Sequence, residues 1–308
     1  MGQQAGIKVS TSPWGPEDEL GALNHLSAAK SAAVLSRVDG SSTYDLSIDY
    51  FVGMPSFQAA GDPGYQIFMS HTPAGTVVDN LNGVGAGNRH VCYSGDVVFM
   101  YTHTGTHIDS LNHFGVDGKI YNNFEVDQHL GSRGWIKGGA ELIPPIITRG
   151  VLLDIAKIKD VDCLPDSYAI TVGDCQKALA DAGLTLEAGD VAFVRTGRMR
   201  YWPDGSKVLG NPPGLSLEAA NWLTGQGISA IGADQECVEV GPSQHEDNWL
   251  PGHCHFLAEA GVPMIELANL EDLSRDNVNE FCLIAAPIRL RGASGAPLRP
   301  IALPLRDR

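Results

Sequence analysis

Basic side chains are scarce in this sequence. Lysine and arginine together number 21 against 36 aspartates and glutamates in 308 residues, so the formal net charge is −15. Nucleic acids and anionic membrane surfaces are bound through basic faces, and the composition therefore argues against both as partners. A small-molecule substrate is the partner that we expect.

Long apolar runs and closely paired cysteines are missing as well. The longest apolar stretches, at 97–101 and 281–287, are far too short to span a bilayer. The six cysteines include no CxxC pair, which favours reduced thiols over a disulfide framework. Residues 1–11 carry one lysine and no apolar run, unlike a secretory signal. These features predict a cytoplasmic protein.

The composition excludes a disordered chain, because 43% of the residues are hydrophobic and only 19% are charged. No low-complexity linker divides the sequence, so we predict one domain over 1–308 with an N-terminal arm at 1–40. Residues 53–95, with the glycine- and asparagine-rich run 82–88, predict a long loop excursion. Such a loop is either a functional lid or a mobile surface excursion, and both interpretations stay open.

Short apolar runs alternate with helical patterns from residue 150 onward. Strands are predicted at 151–154, 191–195 and 228–233, and helices at 171–183, 216–224 and 253–260. Thr171 with Asp174 is a helix N-terminal capping signal, and Gly183 is a stop signal. The alternation predicts an α/β fold with a mixed, largely parallel sheet in the second half of the chain.

Polar residues stand where the predicted strands end: Asp154, Arg195 and Asp234 at these three strands and Glu266 at the end of the apolar run 262–266. Ligands of open α/β sheets bind at the carboxyl ends of the strands, although a single residue there is more often a cap or turn residue. For Arg195 we favour a buried ion pair with Asp154 or Asp234 over a contact with a substrate carboxylate.

Histidines cluster directly after the apolar run 97–101. His103 and His107 are separated by Thr-Gly-Thr, which is poor helix sequence, and Asp109 follows. A tight glycine loop that presents both imidazoles and a carboxylate to one point is the predicted arrangement. Such a set leaves open coordination positions, as catalytic metal sites do. Because the donors are nitrogen and oxygen and no thiolate is near, Zn²⁺ or Mn²⁺ is favoured over a redox copper or an iron–sulfur centre. The alternative is a set of hydrogen-bonded loop histidines without a metal, and the spacing His-x3-His-x-Asp-x3-His after a strand favours the metal site over it.

Two further groups belong to this hypothesis. His113 is close enough in sequence to reach the same point, either as a ligand or as a proton carrier. His253 with Glu266 forms a looser set for a second ion, in which His255 or Cys254 would serve equally well in place of His253. Spacing alone does not choose among these three, or between one ion and two.

The segment from His103 to His113 resembles the HxGTHxDxPxH motif of the cyclase family of metal-dependent hydrolases, which includes kynurenine formamidase, isatin hydrolase and trans-dienelactone hydrolase. The resemblance extends over about 14–305, including the stretches 149–154, 189–197 and 295–301. Leu111 stands where the family has proline, and the chain is longer than the compact kynurenine formamidases.

This resemblance implies a swivelling β/β/α domain, assembled as a homodimer or homotetramer. It implies metal ligation by His103, His107 and Asp109 and acid–base catalysis by His113. In members with two ions, the second ion would be held here by His253 and Glu266.

The predicted function is a metal-dependent hydrolase that opens an amide, cyclic imide or formamide C–N bond of a small, ring-bearing molecule. Phe57 and Phe114, and also Trp202, are candidates for an aromatic pocket, although each fits an ordinary core position. The alternatives are a lactone or ester hydrolase of the dienelactone type and a non-catalytic protein that binds a metal or ligand.

Overall fold

The computed structural model describes residues 6–58, 61–80, 83, 87 and 90–306. Most of the predicted 82–88 run therefore lies outside the described residues. The rest of the predicted loop excursion contains regular structure, because a strand at Gln66–His71 pairs with Gly95–Phe99 and a short helix spans Pro73–Val78. The division into one domain with an N-terminal arm stays a prediction.

The strands, in chain order, are β1 (Tyr44–Asp45), β2 (Gln66–His71), β3 (Gly95–Phe99), β4 (His107–Asp109), β5 (Lys119–Ile120), β6 (Phe124–Glu125), β7 (Leu130–Gly131), β8 (Gly134–Trp135), β9 (Ile146–Asp154), β10 (Ala169–Ile170), β11 (Val191–Arg195), β12 (Gly214–Leu215), β13 (Ala230–Ala233), β14 (Met264–Glu266), β15 (Glu280–Ala285), β16 (Gly295–Pro297) and β17 (Ile301–Pro304). The helices are α1 (Ala28–Ser36), α2 (Pro73–Val78), α3 (Val126–His129), α4 (Ile155–Ile158), α5 (Val172–Ala182), α6 (Gly205–Val208), α7 (Leu217–Gly225), α8 (Pro251–His253) and α9 (Glu271–Arg275). Single 3₁₀ turns lie at Gly21–His25, Tyr121–Asn123, Ala140–Leu142 and Arg198–Tyr201.

One large mixed sheet organises the fold, with strand order β1-β17-β15-β9-β11-β13-β14-β4-β16 among the described residues. Its middle strands β9, β11, β13 and β14 are parallel, as the alternation of strands and helices in the sequence predicts. Antiparallel strands complete the sheet on both sides. The short strand β4, which carries the histidine motif, is thereby held between β14 and β16.

Both faces of the middle strands are buried. Val151 and Leu153 of β9 pack with α5 and α7, whereas Leu152 between them packs with Leu23 and α9 on the other side. Burial on both faces explains why these strands are continuous apolar runs in the sequence. The rigid sheet fixes the position of every side chain at its ends.

The predicted helices begin and end close to the expected residues. Thr171 and Asp174 form the reciprocal capping box of α5, and Gly183 ends it in the left-handed conformation at φ 68°. Ser216 caps α7. The helix predicted at 253–260 is α8 followed by a π-helical turn over Cys254–Glu259. Such turns are rare in proteins, and those that occur often lie at functional sites.

The antiparallel strands β2 and β3 form a two-stranded sheet that is separate from the large sheet. Its apolar side chains are about half exposed, among them Phe68 at 56% and Phe99 at 57%. In the described part of the chain, no helix combines the length and the apolar character that crossing a membrane requires.

Candidate active site

The short strand β4 places the histidine motif on the sheet. Its pairing with β14 sets His107 opposite Glu266, and its pairing with β16 sets Asp109 opposite Gly295. Gly105 adopts the left-handed conformation at φ 64°, and a β-carbon there would lie 2.8 Å from the ring of Tyr50. The predicted tight glycine loop is therefore present.

Asp109 lies at the centre of the cluster and is fully buried. Its Oδ1 is 2.6 Å from Nδ1 of His103 and 3.2 Å from Nε2 of His107. Its Oδ2 is 3.9 Å from Nε2 of both His113 and His253. Burial raises the pKa of the Asp109 carboxyl, but the surrounding histidines outweigh burial and hold this pKa well below its usual value.

A backbone contact orients the ring of His107. Its Nδ1 is 2.8 Å from the carbonyl oxygen of Gly105, so a proton on Nδ1 leaves the lone pair of Nε2 directed into the cluster. Nε2 lies 3.4 Å from Glu266 as well as near Asp109. Burial disfavours the charged imidazole, but the two carboxylates outweigh burial and raise the pKa of His107 to about 10. A cation bound at Nε2 would take the place of the proton that this nitrogen otherwise carries.

His253 has the same kind of support. The carboxylate of Glu239 accepts hydrogen bonds from the backbone N–H groups of Gly252 and His253, each at 2.7 Å, and lies 2.7 Å from Nδ1 of His253. The opposite ring nitrogen faces Glu266 at 3.4 Å.

The two alternatives to His253 point elsewhere. The ring of His255 contacts Glu259 and Thr224, at 2.7 and 3.0 Å, and the sulfur of Cys254 faces the Gly115 carbonyl. Of the three candidates for the second metal set, only His253 is brought to the cluster.

His113 lies at the mouth of the cluster, with 17% of its side chain exposed. Its ring stacks on that of His103, with centroids 3.8 Å apart and an interplanar angle of 23°. Burial lowers the pKa of His113 to about 3, although Asp109 opposes the shift, so the imidazole is neutral at neutral pH. A neutral imidazole in this position is able to accept a proton.

The residues of the cluster fit a divalent cation. His107 Nε2, Asp109 Oδ2 and Glu266 Oε1 are buried and have no hydrogen-bond partner among the described residues. Unsatisfied buried polar atoms are costly, and these three lie close enough together for one bound cation to satisfy them. Two groups of donor atoms within 4.8 Å share Asp109: one with His103 and His113, the other with His107 and Glu266. Asp109 belongs to both groups, so its carboxylate is placed to contact two adjacent ions.

A cavity of about 280 Å³ opens onto the cluster. Phe57 and Phe114, the two residues predicted to bind substrate, both line it, together with Tyr101 and Trp249. The rings of Phe114 and His253 lie 4.7 Å apart. Trp202 does not line the cavity, because it packs against Phe51 in a separate apolar cluster.

The polar residues at the strand ends divide into two kinds. Glu266 reaches the cavity, whereas Arg195 forms a buried ion pair with Asp154 at 2.9 Å, as favoured from the sequence, and another with Glu271. The expected alternative partner Asp234 instead accepts hydrogen bonds from Thr196 and from the backbone N–H of Gly197. Burial raises the pKa of Asp234 to about 6.

Several residues of the site are not singled out by sequence reasoning. Glu239 supports His253, Ser294 lies 2.9 Å from Nε2 of His103, and Tyr101 and Glu236 line the cavity. Glu239 carries a weak local signal, since it is an acidic residue flanked by two valines. Tyr101 stands two residues before the motif and its ring lies 4.8 Å from that of His103, whereas Ser294 and Glu236 reach the site across long sequence separations.

The sequence profile of the family described as "Putative cyclase" matches residues 44–240. The chain belongs to this cyclase family, and the predicted resemblance is confirmed. A solved structure described as that of a novel cyclase is 29% identical, with a TM-score of 0.83 over 94% of this chain and 97% of its own. This likeness confirms the predicted cyclase-family α/β fold.

Named relatives support the enzyme class. Kynurenine formamidase of Bacillus cytotoxicus is 28% identical over 68% of this chain and 79% of its own length. Cyclase-like protein 3 of Oryza sativa subsp. japonica is 26% identical over 86% of this chain and 80% of its own. Isatin hydrolase A from Ralstonia solanacearum, at 22% identity and a TM-score of 0.65 over 88% of this chain and 95% of its own, shares the fold.

These comparisons confirm the prediction of an enzyme of the hydrolase class. The homodimer or homotetramer and the cytoplasmic location stay predictions.

Proposed function

We propose that this protein is a metal-dependent hydrolase that opens an amide, formamide or cyclic imide C–N bond of a small, ring-bearing molecule. The convergence of buried, unpartnered nitrogen and oxygen atoms at the wall of an aromatic-lined cavity carries the proposal. Relatives named kynurenine formamidase support the choice of bond.

The proposed ligands are His103, His107 and Asp109, with Asp109 shared with a second set formed by His253 and Glu266. Nitrogen and oxygen donors without a thiolate favour Zn²⁺ or Mn²⁺. Such a cation, when bound, supplies Lewis-acid chemistry that polarises a carbonyl and makes water more acidic.

His113 is the proposed acid–base catalyst. It is neutral, partly open to the cavity, and held by stacking on the ring of His103. From this position its imidazole takes the proton of the attacking water and returns it to the leaving nitrogen. Such a transfer needs a group that is neutral before the reaction and within reach of both atoms.

Phe57 and Phe114 are proposed to hold the substrate ring. Phe57 is 38% exposed, and Phe114 packs edge-on against His113 with ring centroids 4.8 Å apart. Flat apolar walls next to the reacting groups restrict a bound ring to orientations that bring its carbonyl toward the cluster.

The test begins with elemental analysis of the purified protein, followed by assays of formamides, cyclic imides and lactones with the metal found. We expect turnover of the C–N substrates; turnover of lactones alone would favour the alternative of an ester hydrolase. His113→Ala is expected to keep the metal and to lose about 10²–10⁴-fold in kcat. The matched control is His255→Ala, because the His255 ring lies away from the cavity. Equal activity of the His113→Ala variant and the parent would remove His113 from the mechanism.

A further inference from the structure

A second cavity lies directly beside the reaction cavity. It has a volume of about 510 Å³, and the two cavities share wall residues that include Phe57, Leu209, Glu236 and Trp249. A molecule that contacts the histidine cluster therefore has room to continue past these residues. The combined space exceeds what a single small ring system fills.

The second cavity is mainly apolar on its far side. Its wall there includes Pro212, Val240 and Pro242, and Trp249 covers it with a side chain that is 66% exposed. No metal-ligand candidate of the cluster lines this space among the described residues. Its chemistry suits an alkyl or aryl group that takes no part in the reaction.

Glu236 stands at the junction, lining both cavities. Its Oε1 accepts a hydrogen bond from the backbone N–H of Gly210 at 3.0 Å. Its Oε2 is buried and has no hydrogen-bond partner in the described part of the chain. Burial raises the pKa of Glu236 to about 7, and the nearby charge of Glu266 adds to the shift. A buried carboxylate oxygen without a donor is costly, and a ligand that supplies the donor removes this cost.

We propose that the second cavity is a subsite for the non-reacting part of the substrate and that Glu236 is a specificity-determining residue. Resting on the proposed function, this inference defines a substrate class: amides or imides with an amine or N–H donor beyond the reacting carbonyl and an apolar group beyond that donor. The carbonyl end lies at the histidine cluster, the donor at Glu236 Oε2, and the apolar group in the second cavity.

The test compares three formanilides with the metal-loaded enzyme. One carries a benzylaminomethyl arm on its ring, the second carries a 3-phenylpropyl arm of equal length without the nitrogen, and the third has no arm. We expect the parent enzyme to prefer the amine arm over the carbon arm by about 10–100-fold in kcat/KM, the usual range for a hydrogen bond to a charged group. Glu236→Leu is expected to reduce this ratio to about 1, and Glu236→Gln to reduce it in part.

Two further variants complete the design. Val240→Phe narrows the second cavity, and we expect it to lower the kcat/KM ratio of the armed substrates to unsubstituted formanilide by about 10-fold or more. Glu218→Leu removes an exposed glutamate in the first turn of α7 and is expected to leave both ratios as in the parent. Because every result is a ratio within one variant, a partial loss of folded protein does not mimic the effect.

Equal losses for the amine and carbon arms in Glu236→Leu would overturn the role of Glu236. If the kcat/KM ratio of the armed substrates to unsubstituted formanilide is unchanged in Val240→Phe, the subsite is overturned. If the parent enzyme hydrolyses none of the three compounds, the formamide activity within the proposed function fails on its own. Dissociation constants of the same compounds, measured by calorimetry, then decide the subsite: a preference for the amine arm that is lost in Glu236→Leu supports it, and no preference overturns it.

Discussion

Replacing Glu239 with glutamine tests how the enzyme orients its proposed second metal set. The Glu239 carboxylate is 3% exposed and accepts from three donors, the backbone N–H groups of Gly252 and His253 and Nδ1 of His253. With a proton on Nδ1, the Nε2 lone pair of His253 faces Glu266. The carboxylate thus fixes both the tautomer and the ring orientation of a proposed ligand.

A glutamine of the same shape accepts hydrogen bonds from only some of these three donors. Its amide oxygen takes the place of Oε1 and still accepts from His253, but its NH₂ group then faces the Gly252 N–H, so two donors oppose each other. One buried N–H without an acceptor costs about 1–3 kcal/mol in the free energy of unfolding. Loss of the charged partner behind a ligating histidine weakens metal binding by about 10–100-fold.

The assay is competition for Zn²⁺ or Mn²⁺ against a chelator of known affinity, together with urea unfolding of the metal-free protein. The chain supplies a matched control in the pair that His255, two residues after His253, forms with Glu259. Glu259 lies 2.7 Å from Nδ1 of His255, an equivalent pair that faces away from the cavity, so Glu259→Gln is expected to keep the parent's metal affinity. A Glu239→Gln variant that binds metal as tightly as the parent would refute both the orientation argument and the placement of His253 among the ligands.

Three further predictions concern the first ligand set and the stability of the sheet. His107→Ala should purify without its metal by elemental analysis, and full metal content would exclude His107 as a ligand. Gly105→Ala should destabilise the fold by about 1–2 kcal/mol, because the left-handed conformation disfavours a β-carbon and Tyr50 already occupies its space; urea unfolding measures this. Hydrogen bonds from Arg37 lower the pKa of Glu280 from 4.5 to about 2, so its stabilising effect is complete above about pH 4.5 and is lost as the pH falls toward 2. Glu280→Gln should therefore flatten the dependence of unfolding free energy on pH across that range, and a parent-like slope would contradict the assignment.

Local signals in the sequence were sufficient for the regular elements of the second half. The capping box of Thr171 and Asp174 and the stop at Gly183 mark α5 because each acts within a few residues of the chain. Apolar runs without alternation mark β9 and β11 because both faces of these strands are buried. Where an irregular loop was expected, β2 and α2 form, since glycine and proline content does not reveal pairing with a distant strand.

Within the site, too, some features depend on local sequence and others on distant segments, and the histidine motif belongs to the first kind. His103, His107, Asp109 and His113 lie within eleven residues of one another, and the glycine between the first two determines how they converge. Sequence alone was therefore enough to place these four side chains together. It also determined the family, since the motif lies within residues 44–240, which match the family profile.

Only the tertiary structure decided among His253, Cys254 and His255. Residues two apart on a helical turn point to nearly opposite sides, so at most one of the two imidazoles reaches the cluster. Which one does depends on how the turn packs and on Glu239, fourteen residues earlier, which holds His253 in place. The second cavity and Glu236 likewise arise from segments that are distant in the chain. Short-range geometry thus specified the first ligand set, whereas long-range packing specified the second set and the space available to a substrate.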